Sequence, residues 1–170
     1  LFATKGARCV HVARGRPLVD FSLRRTQGQD AGLRVARSTF ISGFAGTSNL
    51  QAGNHFDIPI SGTMAHSYVT TFGSEIDAFR AYADVFPDNS VFLIDTYDTI
   101  TGARTAATVG QEMKQQGHAL KGVRLDSGDL VYLSRKVRKI LDEAGLADVR
   151  IYASGGLDEF KIDKLLKKGA

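Results

Sequence analysis

A single cysteine, Cys9, is all that 170 residues offer for disulfide chemistry, so no internal disulfide can form and the chain fits a reducing, cytoplasmic compartment. No apolar run approaches the roughly 20 residues that a membrane-spanning helix needs, and no secretory signal opens the chain. Leu1 stands where a start methionine would, and the expectation is a piece of something longer. There is no Gly-x-Gly-x-x-Gly string after the first strand, which argues against dinucleotide binding. Neither a cysteine nor a second histidine lies at ligand spacing from His66, and His55 has no such partner either, so the sequence carries no direct metal signal. The 22 Lys+Arg exceed the 18 Asp+Glu by a net charge of +4, but without the interleaved aromatics of a nucleic-acid surface. A modest positive field suits a small phosphorylated anion, and neither nucleic acid nor membrane is expected as a partner.

What remains is ordinary for a globular domain with a core: 43% of the residues are hydrophobic and 24% charged. Short apolar or β-branched runs near residues 18, 45, 58, 92, 121 and 151 read as strands. Val91-Phe92-Leu93-Ile94 is apolar throughout, as a strand buried on both faces of a parallel sheet would be. Helical spacing covers residues 30–40, 50–56, 74–86, 101–116, 130–144 and 158–168. Ser74 with Asp77 approximates a capping box, and Ser48 or Asn49 is placed to cap the second helix. Strand starts near 91, 119 and 150 repeat at roughly 30 residues, the size of one βα unit. An eight-stranded βα barrel usually needs about 250 residues, so the fold expected is either an open doubly wound sheet or, preferably, a barrel cut at both ends.

In a parallel βα fold the carboxyl ends of the strands share one face, and polar clusters follow these strands one after another. Pooled, they give Phe21, Arg24, Asn49, Thr63, His66, Asp95, Arg124, Asp126, Ser127, Asp129, Ser154, Gly155 and Gly156. Arginines and a threonine can hold a carboxylate, and Ser-Gly-Gly offers backbone N–H groups at a helix amino end to a phosphate. Carboxylates can bind Mg²⁺ or face a developing cation. Each element alone has a plainer explanation: Asp126-Ser127-Gly128-Asp129 can be a turn with a cap, Gly155-Gly156 a bend, Arg24 an exposed charge, and His66 a hydrogen-bonded core histidine. Their repetition at successive strand ends favours a site.

The order of the motifs adds to this. Phe21-Ser22-Leu23-Arg24-Arg25, Gly46-Thr47-Ser48-Asn49, Gly62-Thr63-Met64-Ala65-His66-Ser67, Asp95-Thr96-Tyr97-Asp98-Thr99, Gly122-Val123-Arg124-Leu125-Asp126-Ser127-Gly128-Asp129-Leu130 and Ser154-x-x-Leu157-Asp158-Glu159 closely resemble nicotinate phosphoribosyltransferase from about residue 14 onward. The resemblance implies an α/β fold in which parallel βα repeats form part of an irregular TIM-like barrel of the type II phosphoribosyltransferase kind. Residues 1–170 would be a single incomplete barrel domain, truncated at both ends.

It also implies ATP-coupled transfer of a phosphoribosyl group from phosphoribosyl pyrophosphate to nicotinate, with Mg²⁺, in a homodimer on the salvage route to NAD. By the same resemblance His66 matches the phosphorylated histidine, Thr63 and Arg124 the nicotinate-binding pair, and Phe21 the aromatic stacked on the pyridine ring. Arg24 would face the phosphoribosyl phosphate or the ring carboxylate. Asp126 is a further catalytic candidate, and with Asp129, Ser154, Gly155 and Gly156 it is a candidate for ribose, Mg²⁺ and phosphate contacts. Relatives that use nicotinamide carry an acid where this chain has neutral Asn49, which favours nicotinate. The rival expectations are a nicotinamide or quinolinate phosphoribosyltransferase, or a catalytically silent fragment with a binding or scaffold role.

Overall fold

The computed structural model describes residues 1–170. In chain order its elements are α1 (Phe2–Ala13), β1 (Val19–Asp20), a 3₁₀ turn (Leu23–Arg25), α2 (Gln29–Ile41), β2 (Gly46–Thr47), α3 (Leu50–Phe56) and α4 (His66–Val69). There follow α5 (Glu75–Val85), β3 (Val91–Leu93), α6 (Thr99–Gln115), β4 (Gly122–Leu125), α7 (Leu130–Glu143), β5 (Arg150–Ala153) and α8 (Glu159–Lys167). Two compact units result: residues 1–62 with 157–167, and residues 63–156 with 168–170.

In the first unit β1 and β2 pair in parallel, Val19 opposite Gly46 and Asp20 opposite Thr47. The third strand expected near residue 58 is reduced to one bridge, Thr47 to Ile60. Pro59 explains this: it accepts from Thr47 N through its carbonyl but has no N–H of its own for a ladder. The first fourteen residues, in which the sequence shows only weak signals, form α1. Its buried face is made of small residues, Gly6, Cys9 and Ala13, and Cys9 and Ala13 cluster with Ile162 of α8. Lys5 and Arg8 reach buried Glu159 on the same helix, and the hydrogen bond from Lys5 holds that carboxyl below its ordinary range. Burial raises the Cys9 thiol pKa, which favours the unreactive protonated form.

In the second unit β3, β4 and β5 form a three-stranded parallel sheet in that order. The βα repeat read from the sequence is present here. Phe92, Leu93, Ile94, Val123 and Leu125 are fully buried, and Phe79 of α5 stacks on Phe92 with ring centroids 4.7 Å apart and planes at 2°. Side-chain caps start the covering helices: Ser74 Oγ accepts from Asp77 N, Asp98 Oδ1 from Thr101 N, and Asp129 Oδ1 from Val131 N and Tyr132 N. Small residues let α6 lie close to the sheet. A Cβ on Gly102 would stand 2.2 Å from the Ile94 carbonyl oxygen. The sheets are two and open, and no closed barrel is formed.

Candidate functional site

Strand ends in the second unit bring most of the expected residues together. β4 delivers Arg124, whose Nη1 donates to the Thr63 hydroxyl; the Thr63 hydroxyl in turn donates to the Met64 carbonyl at 3.3 Å. One residue beyond β4, Asp126 carries the centre of the cluster. Its Oδ1 accepts from Ser154 Oγ at 2.5 Å, and its Oδ2 stands 3.7 Å from His66 Nε2. On the other side of the ring, His66 Nδ1 is 3.1 Å from the Thr96 hydroxyl. The imidazole is therefore held between a hydroxyl and a carboxylate, and with its side chain 43% exposed it can still be reached from solvent. Such a ring can hold a proton toward Asp126 or offer a nitrogen as nucleophile.

Behind this pair lies Asp95, beyond the end of β3. Its Oδ2 accepts from Asp126 N at 3.0 Å and from Ser127 Oγ at 2.5 Å, so one carboxylate fixes the turn on which Asp126 sits. Ser154 joins from β5: its N donates to the Leu125 carbonyl at 2.8 Å. Gly155 has φ +94°, and a Cβ there would stand 2.2 Å from the Asp126 carbonyl oxygen, so this position admits only glycine without a backbone shift. Asp129 is further along the same turn and spends Oδ1 on the amino end of α7.

Phe21, Arg24 and Asn49 belong to the first unit. Phe21 is 37% exposed and follows β1 directly, and Arg24 lies exposed in the 3₁₀ turn. Asn49 is buried, and its Oδ1 accepts from Ala52 N, which makes it, and not Ser48, the cap of α3. Asp20, which no motif in the sequence singles out, organises this group. Buried, it accepts from Ser22 N at 3.0 Å and from Thr47 Oγ1 at 2.9 Å, and Thr47 Oγ1 in turn accepts from Asn49 N. Its position at the last residue of a strand, directly before Phe21, was the available signal. Thr96 was likewise inside a recognised motif without being singled out.

The chain matches the nicotinate phosphoribosyltransferase (NAPRTase) family over residues 17–170. Nicotinate phosphoribosyltransferase pncB2 of Mycobacterium tuberculosis is 48% identical over 166 residues, which cover 98% of this chain and 35% of that protein. Its counterpart in Bacillus subtilis is 46% identical over 171 residues, 100% of this chain and 34% of that protein. Among solved structures, human nicotinic acid phosphoribosyltransferase matches with a TM-score of 0.89 at 30% identity, covering 97% of this chain and 44% of that one. Nicotinate-nucleotide pyrophosphorylase from Pyrococcus furiosus matches at 0.83 and 28%, covering 98% and 43%. The chain spans about a third of the length of these two curated relatives.

Proposed function

The chain belongs to the nicotinate phosphoribosyltransferase family, and we propose that it supplies the His66 centre of an enzyme that transfers a phosphoribosyl group from phosphoribosyl pyrophosphate to nicotinate with ATP. The observation that carries this reading is the placement of His66 against Asp126 in the same unit where Arg124 meets Thr63. In the transfer, the bond from the ribose anomeric carbon to pyrophosphate breaks with its electron pair leaving on pyrophosphate. The pyridine nitrogen lone pair then forms the new C–N bond. Positive charge builds on the ribose, and carboxylates such as Asp126 suit that side. Arg124, prepositioned by Thr63, suits the nicotinate carboxylate, for which a guanidinium is the better partner in a charge-assisted pair. The reachable ring nitrogen of His66 would take the terminal phosphoryl group of ATP as its bond to ADP breaks, placing extra negative charge beside the ribosyl donor; water would then cleave the N–P bond and release inorganic phosphate.

Mg²⁺ would enter with the polyphosphates of ATP and phosphoribosyl pyrophosphate, as part of the substrates. Asp126 and Asp129 are read as the carboxylates that would face that ion. Phe21, Arg24 and Asn49 are read as the ring-stacking, phosphate-facing and selectivity positions of the same enzyme. Gly155, Gly156, Ser154 and Asp129 are read as ribose and phosphate contacts. Residues 1–170 are taken as part of one irregular TIM-like barrel domain in a cytoplasmic homodimer; no helix is long and apolar enough to cross a membrane. Assaying nicotinate, nicotinamide and quinolinate with and without ATP, in the full-length protein, tests the reading. Turnover of nicotinate stimulated by ATP supports it. Preference for either other pyridine, or no turnover, refutes it.

A further inference from the structure

Glu75 opens α5, yet its carboxyl group is not fully given to water. Oε1 is buried with no hydrogen-bond partner. Oε2 lies 3.2 Å from the point that a Cβ on Gly102 would occupy, in the crevice where the first turns of α6 close on the Ile94 carbonyl. Next along the chain from Ile94, Asp95 has a buried oxygen of the same kind: Oδ1 lacks a partner, whereas Oδ2 anchors Asp126 N and Ser127 Oγ. Two carboxylate oxygens without donors are costly when both groups are ionised, because each carries charge and neither has a proton to give.

The groups around Glu75 do not relieve this. The charges that act on it are Asp98 and Asp95, both negative, from the turn between β3 and α6. On α4, which packs against α5, Tyr68 donates its hydroxyl proton to the Ala78 carbonyl, and His66 is directed at Thr96 and Asp126. On α5 itself Asp77 accepts from Ser74 Oγ; on β4 Arg124 donates to Thr63. Burial first, then Asp98 and Asp95, push the Glu75 carboxyl up to about 7, outweighing the favourable field of its own helix amino end.

We propose that Glu75 is a positioning residue for the His66–Asp126 pair: its partly sealed carboxyl group sits in the Gly102–Ile94 crevice that leads into Asp95, whose other oxygen anchors the Asp126–Ser127 turn, and negative charge on Glu75 loosens that turn. The inference rests on the function proposed above, in which His66 takes the phosphoryl group and Asp126 faces the charge that develops on the ribose. At 3.7 Å the two are just beyond hydrogen-bond reach, so a small shift of the turn decides whether they engage.

The test uses the full-length protein and two readouts. Infrared spectroscopy with ¹³C-labelled glutamate follows the carboxylic-acid band of Glu75, identified by its loss in Glu75→Gln. It should persist at pH 6 and disappear with a midpoint near pH 7. In turnover, the wild type should lose kcat through that midpoint with the nicotinate KM unchanged. Glu75→Gln, which mimics the neutral acid, should keep the acid-side kcat and lack the loss; Glu75→Ala should lower kcat roughly tenfold across the range, as removal of a supporting group does. A Glu75 side chain fully ionised at pH 6, or a Glu75→Gln profile that follows the wild type, overturns the proposal. Absence of transfer by the wild type at every pH counts against the enzyme function instead, and the infrared titration then decides the state of Glu75 by itself.

Discussion

Arg124 and Thr63 lie 61 residues apart in sequence and meet through a single hydrogen bond from Nη1 to the hydroxyl. The guanidinium is thereby held in one orientation before any ligand arrives, and less side-chain entropy is lost when a carboxylate docks. Arg124→Ala should raise the nicotinate KM at least about tenfold, or about 1.4 kcal/mol of binding. Thr63→Ala should raise it less, and adding it to Arg124→Ala should cost little more, because the threonine acts through the arginine. Saturation curves of the four proteins check this; strictly additive effects contradict it.

Asp95 ties the turn after β4 to the end of β3. Asp95→Ala removes the acceptor of both Asp126 N and Ser127 Oγ. Hydrogen bonds to a charged group contribute roughly 1.5–3 kcal/mol each, so losing both should lower the stability read from urea unfolding by at least about that amount, and kcat should fall with it. Asp95→Asn keeps an acceptor without the charge and should lie between the two.

Gly155 and Gly145 separate backbone strain from close approach. Both have φ in the left-handed region, +94° and +72°, but a Cβ at 155 meets the Asp126 carbonyl whereas one at 145 meets nothing within 4 Å. Gly145→Ala should cost about 1 kcal/mol of stability, the steric penalty of that region alone. Gly155→Ala should cost more and should also lower kcat, since the backbone that must yield carries Asp126. Equal losses of stability and an unchanged kcat would refute the contact.

Acid and base act on this unit with opposite signs. Glu75 binds its proton more tightly in the folded than in the unfolded protein. Its contribution is full below the ordinary carboxyl value of 4.5 and is lost as pH rises through about 7. Asp98, lowered chiefly by the backbone N–H of Thr101, does the reverse: its contribution is present above 3.8 and is lost as pH falls through its folded value. Unfolding midpoints from pH 4.5 to 8 should therefore fall less steeply for Glu75→Gln than for the wild type. A steeper fall in the variant reverses the assigned sign.

Much of the second unit was legible in the sequence because its signals are local. Val91 to Ile94 is apolar without interruption because both faces of that strand are covered. Ser74 and Asp129 are capping residues within three positions of the N–H groups they serve. The first unit hid more. The buried face of α1 consists of small residues with no acidic first turn, and its ionic partner Glu159 lies more than 150 positions away. Ile58-Pro59-Ile60 has the composition of a strand, yet its proline leaves a single bridge. His66, Arg124 and Asp126 could be named as candidates from their motifs, but not the role of Thr96 as a partner of the imidazole. Nor could the sequence alone show that Glu75, at an ordinary helix start, has an oxygen sealed beside the close approach of Gly102 to Ile94.

The central claim is that the imidazole of residue 66 is phosphorylated by ATP and that this modification couples ATP hydrolysis to the phosphoribosyl transfer. Incubating the full-length protein with ATP labelled with ³²P at the terminal phosphate and mapping the label tests this directly. The account predicts label on His66, acid-labile as a phosphohistidine is, absent from His66→Ala, in which product yield also becomes independent of ATP. Label retained in His66→Ala, or ATP stimulation undiminished by that substitution, contradicts it.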